Sequence, residues 1–325
     1  MPHAIRVEKT GGPEELRWVE VDVGEPGPGE VRLRHTAIGV NFLDIYFRKG
    51  VYPAPGGLPL IPGGEGAGVV LSVGPDVTEL RPGDRVVYQT TVGGYAEERL
   101  MPADRLVRLP DDVDDRTAAA AFLKGLTAQF LLRRTFRVER GHTILWHAAA
   151  GGVGSIACQW AASLGVTVIG TVGSNDKVDR ARANKCAHVI NYREEDFVRR
   201  VKEITAGAGV EAVYDSVGAD TFPGSLDCLK QLGTWVSFGQ SSGVPPAFPV
   251  SMLQQKGSLF ATRPTIVHYF PKRSDLQAAA ADLFAVLRDG TVRVPVDLEL
   301  PLREAAEAHR AIEARRTVGT TVLIP

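Results

Sequence analysis

The stretch Thr143–Ala157 reads TILWHAAAGGVGSIA, and its order of side chains predicts a strand, a turn and a helix in succession. Ile144, Leu145 and Trp146 form a short apolar run of the kind that fills a buried strand. Ala148 to Gly154 follow as a turn of small residues, and Ile156, Ala157, Trp160, Ala161 and Leu164 then recur at helical spacing. Strand, glycine turn and helix in that order open a dinucleotide-binding fold. The physics is local. Gly151 and Gly152 let the backbone approach a pyrophosphate, and the helix start aims unpaired N–H groups and a positive dipole end at it. Gly154 lets helix and strand pack closely. Ala149 stands where the usual G-x-G-x-x-G pattern has its first glycine, so the strand–helix context carries the reading rather than the turn alone.

Working outward, apolar runs at Thr167–Val172, His188–Tyr192, Ala212–Val217, Thr234–Phe238 and Leu259–Thr262 alternate with helical segments at 176–184, 194–206 and 222–231. Six strands alternating with helices predict a doubly wound parallel sheet. Residues before about 124 are strand-rich instead. Val31–Ala37 alternates in part, Gly66–Gly74 is apolar and bounded by glycines, and Pro82-Gly83-Asp84-Arg85 marks a turn before Val86-Val87-Tyr88. A helix over Thr117–Leu132 closes that region. Helices at 274–289 and 303–315 and a strand at Thr320–Ile324 have no place in a six-stranded unit already complete. The expectation is an α/β protein with a dinucleotide-binding domain at 126–265 and a strand-rich domain assembled from 1–125 and 266–325.

The 325 residues are enough for two domains of ordinary size. A formal net charge of −1 gives no general attraction to nucleic acid or to an anionic membrane. No apolar run approaches the roughly 20 residues that span a bilayer. The opening MPHAIRVEKTGGPEE lacks the apolar core of a secretory signal. Cys158, Cys186 and Cys228 are three and widely spaced, which fits buried reduced thiols in a cytoplasmic protein better than a disulfide framework.

The end of the second strand of the nucleotide unit selects the cofactor. An acidic residue there bonds the ribose hydroxyls of NAD, whereas a basic or small polar set admits the extra phosphate of NADP. Here Val172 runs into Gly173-Ser174-Asn175-Asp176-Lys177, with Gly173 in the acid-bearing position. Asp176 is expected to cap the next helix. Lys177 offers a cation and Ser174 a hydroxyl to a 2′-phosphate, and Tyr192, ending the third strand, is placed to reach the phosphate or cover the adenine. NADPH is the expected cofactor.

Several segments together resemble the medium-chain dehydrogenases/reductases: Thr36-Ala37-Ile38-Gly39-Val40-Asn41-Phe42-Leu43-Asp44, Ile61-Pro62-Gly63-Gly64-Glu65-Gly66-Ala67-Gly68-Val69-Val70 and the turn through Gly154. Phe122 to Thr127, Val189 to Glu195 and Tyr214 to Gly218 extend the resemblance, most closely to the zinc-free, zeta-crystallin-like quinone oxidoreductase branch. The resemblance implies a GroES-like, partly barrel-shaped catalytic domain beside the Rossmann domain. In zinc-dependent members the catalytic cysteine falls where this chain has Asn41, and the histidine of a G-H-E segment where it has Gly64. A tetrahedral zinc needs thiolate, imidazole or carboxylate ligands, so no metal is expected. Glu65 is retained and is expected to be a buried structural acid.

Without a Lewis acid, alcohol oxidation lacks a way to polarise the hydroxyl, and no Tyr/Lys/Ser set replaces it. A quinone asks for less, because aromatisation drives hydride acceptance. The resemblance implies a quinone site in the cleft between domains, lined by Asn41, Asp44, Tyr46 and Tyr52, with Arg263 entering it. On the cofactor side it implies Asn41, Thr127, Phe238 and Gly239 toward the nicotinamide and its ribose. Gly151, Gly152, Val153 and Gly154 would lie at the pyrophosphate, Gly173, Ser174, Lys177 and Tyr192 at the adenosine phosphate, and Ser216 and Val217 at ribose and adenine. The loop Arg315-Arg316-Thr317 would return to the cofactor. A homodimer through the edge of the nucleotide-domain sheet is also implied. Two other readings stand beside the quinone reductase. One is reduction of an activated alkene, an alkenal or enone. The other is an NADPH-binding sensor or RNA-binding protein with little turnover, although the chain shows no basic run interleaved with aromatics.

Overall fold

In the computed structural model, which describes residues 1–314, 316–317 and 319–325, the chain divides into two units. One comprises Met1–Lys124, Lys272–Arg288 and Val294–Pro325, the other Gly125–Pro271 and Asp289–Arg293. Strands are numbered in chain order. The first unit contains β1 (His3–Arg6), β2 (Arg17–Glu20), β3 (Glu30–Gly39), β4 (Glu65–Val73), β5 (Arg85–Gln89), β6 (Glu98–Pro102) and β7 (Leu106–Arg108). The second contains β8 (Thr143–Trp146), β9 (Thr167–Val172), β10 (His188–Asn191), β11 (Val210–Asp215), β12 (Leu229–Ser237) and β13 (Phe260–Thr262). The chain then returns to the first unit with β14 (Val296–Pro301) and β15 (Thr320–Ile324).

The six strands of the second unit are all parallel, in the order β10-β9-β8-β11-β12-β13. The chain starts in the middle of the sheet, builds outward to one side and then to the other. That order sets the carboxyl end of β8, and the turn after it, at the reversal point where such sheets bind ligands. Leu145, Ile169, Ile190, Val213 and Trp235 fill one core of this unit. All three cysteines are free and buried within it.

The first unit has the sheet order β14-β15-β3-β4-β5-β7, with β6 on β3. β15 pairs antiparallel with β3, Val322 opposite Gly39, so the end of the chain completes a sheet begun near its start. One core gathers Ile5, Ile38, Val40, Ile45, Phe47 and Tyr95 with Leu302, Ala305, Ala308 and Leu323. It seats the helix Phe42–Lys49 and the helix Ala305–Glu313 in the same apolar cluster.

Four expectations need correction. Residues 266–271 and Asp289–Arg293, assigned by sequence to the first domain, belong to the second unit. Tyr269 stacks on Phe130 at 4.3 Å, and Arg293 exchanges two hydrogen bonds of 3.1 Å with the Gln159 amide. The expected helix 222–231 is helical only over Gly224–Asp227, because Leu229 already belongs to β12 and to the core. The fourth strand runs Val210–Asp215 rather than Ala212–Val217, which leaves Ser216 and Val217 in the loop beyond it. Asp176 caps nothing: it is exposed in the single turn Asn175–Lys177, and the helix Val178–Ala183 has Lys177 at its N-cap.

Candidate active site

In the first unit, the site residues belong to the helix Phe42–Lys49, which sequence periodicity did not announce. Its signal is in the caps. Asn41 and Asp44 form a capping box, the Asn41 N–H donating to Asp44 Oδ2 at 2.8 Å, and Gly50 closes the helix at φ 74°. The box turns Asp44 inward, where it is fully buried.

Two buried chains of polar groups meet there. Glu65, fully buried in β4, accepts from Asn41 Nδ2 at 2.8 Å, from the Leu123 N–H at 2.7 Å and from the Lys124 ammonium. Both Glu65 carboxylate oxygens are thus paired. Because its Nδ2 donates to Glu65, the Asn41 amide is held in one orientation. The second chain runs from Arg48. Its Nη2 donates to Glu313 Oε2 at 2.7 Å, and its Nη1 lies 3.2 Å from His309 Nδ1. Arginine has only donors, so Nδ1 accepts and the imidazole proton sits on Nε2. Nε2–H then donates to Tyr95 Oη at 3.0 Å, and Tyr95 donates to Asp44 Oδ2 at 3.0 Å. Asp44 Oδ1 is buried with no partner, and a β-carbon built on Gly64 would lie 3.7 Å from it. Burial pushes the Asp44 carboxyl up to about 7, against the opposing effect of the Asn41 and Tyr95 donors. Burial likewise lowers His309 to about 3, with Arg48 adding to it, so the imidazole is neutral.

The outer face of the same helix is aromatic. Tyr46 and Tyr52 meet edge to face at 5.3 Å, Phe42 lies 6.2 Å from Tyr46, and Phe42 is 41% exposed. The structure therefore pairs Asn41 with Asp44 on the inner side of this helix and Tyr46 with Tyr52 on its outer side. It adds Phe42, Glu65, Lys124, Tyr95, Arg48 and His309, which sequence reasoning did not connect to them. Among the described residues no group of three or more His, Cys, Asp or Glu side chains could hold a metal ion.

In the second unit, Gly151 is the N-cap and Gly152, Val153 and Gly154 the first turn of the helix Gly152–Ser163, after the turn that follows β8. A β-carbon on Gly154 would lie 2.3 Å from the Ala148 carbonyl oxygen, so only glycine permits this approach of helix to turn. Ala148 itself has φ 54°, a left-handed conformation that costs a non-glycine residue about 1 kcal/mol or more. The turn and the open helix start fit a pyrophosphate. Gly173 follows β9 and Tyr192 follows β10, the two strands being paired with Asn191 opposite Val172. A β-carbon on Gly173 would lie 3.2 Å from Tyr192 Oη, so the phenol sits over the glycine and next to the turn bearing Ser174 and Lys177. Two carboxylates are close by: Asp176, exposed in the same turn, and Glu194, which accepts from Asn175 Nδ2 at 2.8 Å. This set fits an adenosine phosphate.

Ser216 and Val217 follow β11, and Phe238 and Gly239 follow β12. A β-carbon on Gly239 would come within 2.9 Å of the Ser216 backbone, so these two loops touch. Arg263, after β13, ties itself to the same place: Nη1 donates to Ser237 O and Oγ and to Gly239 O, and Nη2 to Gln240 Oε1 at 3.0 Å. The structure thus joins Arg263 to the loop of Phe238 and Gly239. Thr127 is half-buried on the helix Asp115–Phe130, and Thr317 is half-buried before β15. Arg315 lies outside the described residues.

A parallel sheet with a glycine turn at its reversal point, together with a strand-rich unit closed by the end of the chain, defines a two-domain nucleotide-dependent dehydrogenase or reductase. Family models agree. Residues 27–111 match the alcohol dehydrogenase GroES-like domain, and residues 152–285 match the zinc-binding dehydrogenase family. A quinone oxidoreductase of Pseudomonas aeruginosa is 49% identical over 326 residues, with all of both chains covered. A 2-haloacrylate reductase of Burkholderia is 47% identical over 332 residues, covering 100% of this chain and 99% of the other. The solved Escherichia coli quinone oxidoreductase complexed with NADPH superimposes with a TM-score of 0.97 at 46% identity, covering 99% and 100% of the two chains. The chain belongs to the quinone oxidoreductase family of medium-chain dehydrogenases/reductases.

Proposed function

We propose that this protein is an NADPH-dependent quinone reductase that works without a metal. The observation carrying the reading is the constellation around Asn41 and Gly64: the buried acids Asp44 and Glu65 are present, while neither position beside them offers a zinc ligand. The full-length identity to named quinone oxidoreductases and the NADPH complex of a relative support it.

NADPH supplies the hydride when bound. Gly151, Gly152, Val153 and Gly154 would seat its pyrophosphate, and Ser216 and Val217 its ribose and adenine. Lys177, with Gly173, Ser174 and Tyr192, would hold the 2′-phosphate; a hydrogen bond to a charged group contributes about 1.5–3 kcal/mol. Thr127, Phe238 and Gly239 are assigned to the nicotinamide end, with Arg263 bracing the loop of Gly239 and Thr317 a further contact. On the substrate side, Phe42, Tyr46 and Tyr52 offer stacking surface. Asn41, its amide oriented by Glu65, offers an N–H and a carbonyl. Asp44 is the proton donor. Its Oδ2 already accepts from Asn41 and Tyr95, so in the neutral acid the proton sits on Oδ1. One hydride and this proton convert quinone to hydroquinone; because Oδ1 is buried, both the transfer and the return of a proton from water require local opening around Asp44.

The 2-haloacrylate reductase at 47% identity favours a second reading, reduction of an activated alkene, which needs the same hydride and proton. Pure protein with NADPH and a panel of quinones, enones and 2-haloacrylates, followed by loss of NADPH absorbance, separates the two. Quinone turnover supports the first. Turnover of alkenes alone overturns it in favour of the second. No turnover with any acceptor leaves a binding protein.

A cytoplasmic homodimer completes the proposal. No helix among the described residues is long and apolar enough to cross a membrane. β13 ends its sheet, and Phe260 on it and Val250 before it are 60% and 79% exposed. Sedimentation of a monomer at micromolar concentration would refute the dimer.

A further inference from the structure

His147 sits inside the stretch that decides the fold, directly after β8, yet nothing in the function above uses it. It is fully buried and packs edge to face on Phe197 at 5.2 Å. Its two ring nitrogens reach in opposite directions. Nδ1 lies 2.9 Å from Thr171 Oγ1 in β9, and Nε2 lies 3.1 Å from Ser225 Oγ in the short helix Gly224–Asp227. The Ser225 hydroxyl faces two acceptors, Asp215 Oδ2 at 2.8 Å and the Thr221 carbonyl at 3.2 Å, and the shorter contact to the charged carboxylate takes its proton. Its single proton being so used, Ser225 accepts from Nε2–H, which leaves Nδ1 to accept from Thr171. The chain Thr171 → His147 → Ser225 → Asp215 therefore has one direction and no unmatched member.

Each end is attached to a loop. Thr171 precedes Val172 and Gly173, and its carbonyl accepts the Ala149 N–H of the glycine turn at 3.0 Å. Asp215 accepts the N–H groups of Val217 and Gly218 at 2.8 and 3.0 Å, and Thr221 Oγ1 at 2.8 Å. Its backbone carbonyl accepts the Phe238 N–H at 2.8 Å. Thr171, Ser225 and Asp215 are all fully buried. Buried networks with every member satisfied hold their parts in one arrangement.

We propose that Thr171, His147, Ser225 and Asp215 are positioning residues for the dinucleotide: one buried hydrogen-bond chain sets the spacing of the glycine turn, the loop from Gly173 and the loop from Ser216. This rests on the reading that those loops hold NADPH. Since the chain serves all three, breaking it weakens NADPH and NADH in parallel, whereas loss of Lys177 changes their ratio.

The test is fluorescence titration of NADPH and NADH against wild type, His147→Phe, His147→Gln and Thr171→Val, with thermal melts of each. His147→Phe keeps the ring and loses both bonds; His147→Gln retains a donor and an acceptor; Thr171→Val is nearly isosteric and removes one link. The expectation is a Kd for both cofactors raised about tenfold in His147→Phe, with a smaller parallel rise in Thr171→Val. His147→Gln should recover most of the loss, and KM for quinone should stay at the wild-type value. Should His147→Phe not fold, Thr171→Val decides. Folded variants with wild-type Kd overturn the proposal, as does a change in quinone KM without one in Kd. If wild type itself binds neither cofactor, the reading of the loops fails instead.

Discussion

Two fully buried aspartates, one in each unit, are pushed in opposite directions from the ordinary carboxylate value. Asp215 accepts from five donors: the Val217 and Gly218 N–H groups, Thr221, Ser225 and the Trp235 indole. Asp44 accepts from two, both on Oδ2, and its Oδ1 has none. Burial alone raises both. For Asp215 the ring of donors outweighs burial and brings the carboxyl below its ordinary value. For Asp44 burial wins and the group titrates near 7. Donor count, not depth, separates a carboxylate that organises loops from an acid able to give a proton.

The largest expected effect is on Asp215. Asp215→Asn removes the charge and turns an amide N–H₂ toward groups that are all donors, at a cost of about 3 kcal/mol or more. Urea unfolding followed by tryptophan fluorescence reports it, since Trp146, Trp160 and Trp235 lie in that unit and Trp18 in the other. Asp44→Asn should cost under about 1 kcal/mol in the same assay, because the amide resembles the neutral acid already present. A loss of equal size in both variants would break the comparison. The pH dependence of stability should also differ in sign. Asp44 has a raised folded pKa, so its contribution is present below about 4, the unfolded value, and is lost as pH rises through about 7. Asp215 has a lowered one, so its contribution is present above the unfolded value and is lost as pH falls through the folded value. In activity the ranking reverses: Asp44→Asn should lower kcat with quinone about 100-fold, the lower end of what a positioned general acid supplies. Unchanged kcat would remove Asp44 from the chemistry.

This contrast is where reading the sequence stopped. The glycine turn, the six strands and the return of β15 were legible because each is a local pattern, and Asn41 and Gly64 were legible as substitutions within a motif. The helix Phe42–Lys49 carries no periodic signal: its marks are a capping box and a terminal glycine, and the two capping-box residues also carry candidate chemistry. Tyr95, His309 and Arg48 were invisible around Asp44, since the Arg48–His309 and Tyr95–His309 contacts span 261 and 214 residues. His147 stood in the deciding stretch, but its role depends on Thr171 and Ser225, 24 and 78 residues away. Periodicity carries no information about which distant polar groups will share a core.

Lys177 provides a control on the Asp215 side. Asp215 is assigned to act on the cofactor through loops, Lys177 directly. Lys177→Ala should weaken NADPH about ten- to hundredfold while leaving NADH nearly unchanged, as expected for loss of one charge-assisted hydrogen bond. Parallel loss of both cofactors would place Lys177 with the positioning residues rather than at the phosphate.

The smallest effect is the most specific, because it moves Asp44 without touching it. If proton donation needs the neutral acid, kcat/KM for quinone falls as pH rises through about 7. Tyr95 Oη donates to Asp44 Oδ2 at 3.0 Å and so favours the carboxylate. Tyr95→Phe removes that donor and little volume, leaving the Asn41 N–H alone on Oδ2. The Asp44 pKa must then rise, and the falling limb should move up by about one unit, the size of one modest hydrogen bond to a charged group. At pH 8 the variant would be faster than wild type relative to its own plateau. A limb that stays in place would show that another group sets it, and one that moves down would mean that the active form is the carboxylate.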